Sequence, residues 1–305
     1  MKKNSIIMLL AAASLLVAGC APAAKTSANT QANTSSKAPA KASTTLETTP
    51  QFPAVSQQGK VAIVAHRGFW NCEAGGKSEN SIASLKAAQD AGVWGSECDV
   101  HITADDVVIV NHDGSIGGKD IASHKFSDFA NDLLPNGEHR PTIDEYLTQA
   151  AKCPSTKLII ELKPQRTEAR EDALVGKVIA ALKAHGMYDP QTVLFISFSQ
   201  HICEKVAAEH PKFVNQFLSS NFVKNETPKA YAKKGINGVD YHYKMFAINP
   251  DYVTTAHELG MSVNAWTVDK EADIKDMIKL GVDAITSNEP LRVRELLGDK
   301  EYKNE

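Results

Sequence analysis

Cysteine is scarce. Five in 305 residues are too few to frame a protein of this size with disulfides. Surplus charge is lacking too. The 33 lysines and arginines stand against 36 aspartates and glutamates, for a formal net charge of -3. That leaves no electrostatic footprint for nucleic acid or another broad anionic surface. No apolar run suits a permanent membrane helix, because the stretch over residues 6–17 is short and broken by Ser14. A Gly-rich dinucleotide turn is also missing, which counts against a doubly wound open sheet. What remains is 43% hydrophobic residues, the content of a globular protein. The length suits two average domains or one barrel of about 250 residues.

The first twenty residues, MKKNSIIMLLAAASLLVAGC, read as an export signal: Lys2 and Lys3 precede the short apolar run. The run ends in Val17-Ala18-Gly19-Cys20, which resembles the lipobox of bacterial lipoproteins. The resemblance implies cleavage before Cys20 and lipidation of its thiol. Acyl chains there would anchor the protein, since each buried methylene contributes about 0.8 kcal/mol. The expectation is an exported, membrane-anchored lipoprotein, facing the periplasm from the outer membrane if the cell has one. Residues 21–58 are mostly Ala, Thr and Ser, with Leu46 the one large aliphatic residue before Pro50. Such a segment cannot bury enough apolar surface to offset ordering, so a disordered linker is expected.

From Lys60 the pattern changes. Short β-branched runs alternate with Ala/Lys/Glu-rich segments, the signature of repeated βα units around a parallel sheet. Nine runs read as strands: Val61–Ala65, Gly95–His101, Val107–Asn111, Lys157–Leu162, Thr192–Ser197, Phe213–Leu218, Gly238–Tyr241, Met261–Thr267 and Asp283–Thr286. Helices are predicted over Asn80–Ala91, Arg170–His185, Gln200–His210, Pro250–Leu259 and Lys270–Leu280. Nine strands exceed an eight-fold barrel by one. The second and third runs are separated only by Thr103-Ala104-Asp105-Asp106, too short for a parallel crossover. The third run must therefore fold back as an antiparallel hairpin, which brings His112 beside Cys98 and Asp99. The remaining eight make an α/β fold, a (β/α)8 TIM barrel over residues 59–300.

In such a barrel the chemistry sits at the C-terminal strand ends. There the sequence places His66-Arg67-Gly68, Glu97-Cys98-Asp99, His112-Asp113 and Glu161-Leu162-Lys163. Side chains two apart on a strand share a face, so Glu97 and Asp99 point inward together, as do Glu161 and Lys163. Three converging carboxylates would repel one another without a cation. Oxygen ligands with no His/Cys cluster favour Ca²⁺, with Mg²⁺ as the alternative, over zinc. A divalent cation with Arg67 and Lys163 suits a phosphate, and His66 and His112 supply an acid and a base. Metal-assisted phosphodiester cleavage is the composite reading. Glu79 and Asn80 either mark a helix N-terminus or support the site from behind.

The motifs AHRG (65–68), ENS (79–81), ECDVxxTxD (97–105), VVIVNHD (107–113), ELK (161–163), SF (197–198) and NAWTV (264–268) occur in order. Together they resemble the glycerophosphodiester phosphodiesterase family of phospholipase C-like barrels. The resemblance implies His66 as general base, His112 as general acid, and Glu97, Asp99 and Glu161 as metal ligands. It implies Arg67 and Lys163 as phosphate contacts and Trp266 as an apolar wall for glycerol. The substrate would be a glycerophosphodiester, cleaved to sn-glycerol 3-phosphate and an alcohol. Attack could come from the glycerol 2-hydroxyl or from water. Residues 285–290, ITSNEP, depart from the family's usual I-T-D before proline. The alternatives are a phosphoinositide- or sphingomyelin-type lipase of the same superfamily, or a binding lipoprotein without catalysis. Cys98, pointing away from the barrel interior, is expected to be a buried free thiol.

Overall fold

The computed structural model describes residues 61–223 and 226–298; the predicted signal segment, Cys20 and the linker over 21–58 lie outside the described residues. Strand β1 (Ala62–Ala65) leads through α1 (Ile82–Asp90) to β2 (Gly95–Ile102), which turns back as β3 (Val108–Val110). A small hairpin of β4 (Ser115–Ile116) and β5 (Lys119–Asp120) and helix α2 (Ile143–Ala150) precede β6 (Lys157–Leu162). Then come α3 (Glu168–Ala184), β7 (Val193–Ser197), α4 (Gln200–Glu209), β8 (Asn215–Ser219), α5 (Pro228–Ala232) and β9 (Gly238–His242). The chain continues through α6 (Tyr243–Ile248), α7 (Asp251–Glu258), β10 (Ser262–Trp266), α8 (Glu271–Leu280), β11 (Ala284–Ser287) and α9 (Pro290–Leu297).

Eight strands, β1, β2 and β6 to β11, form a closed parallel barrel. Closure follows from β1 pairing on both sides, Ala62 with Ala284 of β11 and Val64 with Gly95 of β2. Strand β3 is the extra one and pairs antiparallel with β2, Val100 opposite Val110 and Ile102 opposite Val108. The turn between them is held by Thr103, whose amide donates to the Val107 carbonyl and whose hydroxyl accepts from the Val107 amide. The five-residue turn thus does what loop length requires.

Strand alternation divides the core into two layers. Cys98, Val100 and Ile102 of β2 pack outward with Leu158, Ile160 and Leu162 of β6 against the helices. Ile159, Val64 and Ile196 fill the lumen. Each fully buried side chain of this size contributes about 1.5–3 kcal/mol, so a one-residue register slip is strongly disfavoured. The same alternation sends Glu97, Asp99, Glu161 and Lys163 inward. Cys98 is buried and free, as its outward direction predicts.

The helices differ from expectation in two ways. Helices α2, α5, α6 and α9 are short and were not anticipated, because five to eight residues carry little periodicity. Helix α2 is specified instead by its cap: Thr142 and Glu145 exchange hydrogen bonds in a capping box, and Ile143, Tyr146 and Leu147 are buried. Helix α1 starts at Ile82, with Ser81 as N-cap, two residues later than predicted. Asn80 lies at φ 57°, outside helical backbone, and its side chain is committed elsewhere.

Candidate active site

The turn after β1 sets the frame. Arg67 and Gly68 lie at φ 56° and 79°, which bends the chain back onto β2. The Arg67 amide donates to Glu97 Oε2 at 2.7 Å and the Gly68 amide to the Glu97 carbonyl at 3.0 Å. Only glycine fits position 68, since a Cβ there would lie 2.7 Å from the Ser84 backbone carbon. The Arg67 guanidinium then reaches Glu79 Oε2 at 2.6 Å, while its Nε sits 3.7 Å from Asp99 Oδ2.

Glu97, Asp99 and Glu161 meet in the lumen, each offering an oxygen within 4.8 Å of the others. All three are buried. Lys163 Nζ lies 2.8 Å from both Asp99 Oδ1 and Glu161 Oε1, so this lysine sits on the carboxylates themselves. Asn80 holds Asp99 from behind: its Nδ2 donates to Asp99 Oδ2 at 2.8 Å and its Oδ1 accepts from the Asp99 amide at 3.0 Å. Asn80 and Glu79 therefore touch the charged groups as well as lying beside a helix start.

The electrostatics show that the set is incomplete. Burial raises Glu97 well above the usual carboxylate range, and repulsion from Asp99 and Glu161 adds to it. Burial and Asp99 push Glu161 up to about 8. Burial would raise Asp99 as well, but the Lys163 ammonium draws it below its ordinary value. Fully ionised, Glu79, Glu97, Asp99 and Glu161 would face only Arg67 and Lys163 here, a surplus of two negative charges that the raised carboxyl pKa values reflect. Glu97 Oε1 is buried with no hydrogen-bond partner among the described residues. Two spare negative charges, an orphaned carboxylate oxygen and an all-oxygen donor set fit one hard divalent cation.

His66 stands at the end of β1 with its orientation determined by a chain of contacts. Asn288 Nδ2 donates to Asp269 Oδ2 at 2.8 Å, which fixes the amide so that Oδ1 faces His66 Nδ1 at 2.9 Å. Trp70 Nε1 also donates to that oxygen, at 3.1 Å. Since Asn288 Oδ1 can only accept, Nδ1 of His66 carries the proton and Nε2 keeps its lone pair. Burial, with Arg67 alongside, lowers the His66 pKa to about 4, so the ring is neutral at pH 7. His112 Nδ1 pairs with Asp113 Oδ1 at 2.8 Å, leaving its Nε2 as the free ring nitrogen.

These groups line a cavity of about 120 Å³. His66, Arg67, Glu97, His112, Glu161, Asp240 and Thr286 form its polar part; Ile196, Phe198, Leu218 and Trp266 form its apolar part. The Trp266 indole is held by a 2.9 Å hydrogen bond to the Asp240 carbonyl and an edge-on contact with Phe198. A second cavity, about 300 Å³, shares Arg67 and His112 with the first and extends past Trp70, Lys77, Leu134 and Arg140. The structure thus gathers all the predicted site residues except Cys20, which lies outside the described residues.

Three residues of the site carry little signal in the sequence. Asn288 is visible only as the departure after β11. Asp269 and Asp240 stand in no motif, and a lone aspartate after a strand or inside one reads as nothing in particular.

A family model described as the glycerophosphoryl diester phosphodiesterase family matches residues 66–292. The chain is 24% identical over 244 residues to a glycerophosphodiester phosphodiesterase of Caldanaerobacter subterraneus, covering 76% of this chain and 95% of that protein. Its fold is similar to the crystal structure of a glycerophosphodiester phosphodiesterase from Parabacteroides distasonis, with TM-score 0.74 and 35% identity over 79% of this chain and 98% of that one. It is also similar to an Oleispira antarctica phosphodiesterase solved with the product sn-glycerol-3-phosphate, with TM-score 0.68 and 22% identity over 80% and 99% of the two chains.

Proposed function

Starting from its membership of the glycerophosphoryl diester phosphodiesterase family, as a glycerophosphodiester phosphodiesterase, we infer that this chain hydrolyses glycerophosphodiesters to sn-glycerol 3-phosphate and an alcohol, with a divalent cation and two histidines. The observation that carries the reading is two histidines lining one small cavity with a buried, under-neutralised carboxylate trio.

Glu97, Asp99 and Glu161 would hold the cation, with Ca²⁺ favoured and Mg²⁺ the alternative. Bound there, it would offset the charge that develops on the phosphoryl oxygens. Arg67 and Lys163 bind the phosphate beside it. His66 Nε2 accepts the proton of the attacking hydroxyl: water gives glycerol 3-phosphate directly, whereas the glycerol 2-hydroxyl gives a cyclic phosphate that water then opens to glycerol 3-phosphate. His112 Nε2 donates a proton to the departing alcohol oxygen as its bond to phosphorus breaks. The larger cavity beyond His112 then receives that alcohol. Trp266 and Phe198 wall the glycerol side.

Purified protein supplied with Ca²⁺ and a panel of glycerophosphodiesters should release glycerol 3-phosphate, and EDTA should stop it. No release from any member of the panel would sink the reading.

The Asn288 contact makes a sharper prediction. With His66 neutral down to about pH 4, the acid limb of kcat/KM lies near that value rather than near 6.5, the value of an unperturbed histidine. The hydrogen bond that His66 Nδ1 donates to Asn288 Oδ1 favours the protonated ring, so Asn288→Ala moves the limb to still lower pH. It also frees the ring to rotate and lowers kcat by about 10–100-fold, the scale on which losing a histidine's outer partner acts. An unchanged pH profile in the variant would show that Asn288 does not govern His66.

The lipobox-like Cys20 supports a membrane-tethered, exported enzyme. Cys20→Ser should move the protein from the membrane to the soluble fraction; equal partitioning of the two forms would remove the anchor.

A further inference from the structure

Asp240 is the middle residue of β9, 1% exposed, and its side chain lines the same 120 Å³ cavity as the histidines. Its Oδ1 is buried with no hydrogen-bond partner among the described residues. A buried carboxyl oxygen without a partner is costly, and it persists where something supplies the missing bond.

Its neighbours narrow down what that is. Asp240 does not belong to the metal-competent group of Glu97, Asp99 and Glu161. Burial raises its pKa to about 8, opposed only by a hydrogen bond from Asn264, and no charged residue of the site acts on it. The carboxyl is therefore neutral at pH 7, able both to donate and to accept, and it stands apart from the phosphate-binding charges. The rest of its side of the cavity is mostly apolar: Ile196, Leu218, Phe198 and Trp266, with Thr286, whose hydroxyl is hydrogen-bonded to Asn264. A neutral donor–acceptor in an apolar recess matches an alcohol hydroxyl. It matches neither a phosphate nor an ammonium group.

We propose that Asp240 forms the floor of the glycerol subsite and hydrogen-bonds the terminal hydroxyl of the glycerol moiety. This rests on the functional reading above. That hydroxyl is the glycerol group farthest from phosphorus; of the two polar side chains of the cavity set apart from the charged cluster, Thr286 is hydrogen-bonded to Asn264, whereas Asp240 has an oxygen without a partner. The residue also positions the apolar wall, because its backbone carbonyl accepts from the Trp266 indole at 2.9 Å. A substrate with a methyl group in place of the terminal CH₂OH would leave Oδ1 unpaired, and the site would reject it.

The test compares binding of sn-glycerol 3-phosphate and of its 1-deoxy analogue to the Ca²⁺-loaded enzyme by calorimetry. Wild type should prefer the first by about 10- to 100-fold, the range of one buried hydrogen bond. Asp240→Leu should bring the ratio close to one, while leaving the melting temperature unchanged or higher, since an unpaired buried carboxyl is removed. Asp240→Asn keeps a donor and an acceptor and should keep most of the preference. A preference that survives Asp240→Leu overturns the assignment, as does a variant that weakens both ligands equally. Turnover of glycerophosphocholine by the wild type, measured in parallel, tests the functional reading separately: turnover with an unchanged ratio defeats Asp240 alone, and binding of neither ligand defeats both.

Discussion

His66→Ala should lower kcat by about 10²–10⁴-fold, the usual contribution of a positioned general base, with little change in KM. The ring is neutral, its Nδ1 proton is engaged by Asn288, and its Nε2 is the lone pair left for a reacting hydroxyl. Arg67, Lys163 and the carboxylate trio, the groups proposed to carry the phosphate and the cation, are untouched by the change. Ca²⁺-induced stabilisation of the variant should therefore equal that of wild type, which separates lost chemistry from lost folding. Undiminished turnover would rule out the base. His112→Ala should differ in kind. Its defect should shrink for a p-nitrophenyl ester, whose leaving group needs no proton, whereas the His66→Ala defect should persist with that substrate.

Glu97→Gln should abolish measurable turnover and yet leave the cation-free protein more stable. Glu97 is buried among Asp99 and Glu161, and its Oε1 lacks a partner. A neutral amide at this position cannot ionise, so the repulsion with Asp99 and Glu161 is gone. Saturating Ca²⁺ at about 100 times its Kd would stabilise wild type by about 2.7 kcal/mol through binding the folded state alone. The variant, with its ligand set broken, should gain little. The pH dependence has a definite sign. Glu97, Glu161 and Asp240 have folded-state pKa values above their unfolded ones, with Glu161 and Asp240 at about 8. Their protonated forms therefore support the cation-free fold at low pH, and that support is lost as pH rises through 8. His66 works in the opposite direction, but only below its unfolded pKa of 6.5. Between pH 6.5 and 8.5 the melting temperature of the EDTA-treated enzyme should thus fall, and Ca²⁺ should flatten the slope. A flat profile without Ca²⁺, or equal Ca²⁺ stabilisation of Glu97→Gln, would remove the trio from metal binding.

Much of this site is legible one strand at a time. Side chains alternate along a strand with period two, so Glu97 with Asp99, and Glu161 with Lys163, must share a face wherever those strands go. Apolar neighbours such as Cys98, Leu158 and Ile160 assign the opposite face to the helices. The five residues between β2 and β3 forbid a crossover by length alone, and His112 follows into the site. All of these are local constraints, and a local reading recovers them.

The remainder depends on closure. His66 and Asn288 are 222 residues apart in the chain and meet because β1 pairs with β11. Nothing near either residue announces the other. Only their contact, together with Asp269, decides which ring nitrogen of His66 holds the proton. Asp240 is a similar case. On its strand it is one aspartate between Val239 and Tyr241, and its missing hydrogen bond exists only once eight strands enclose a lumen. Composition and alternation thus set the inventory of charged groups and their direction. Barrel closure, by joining distant segments and excluding water, sets their protonation and the one unmet bond that points to the glycerol.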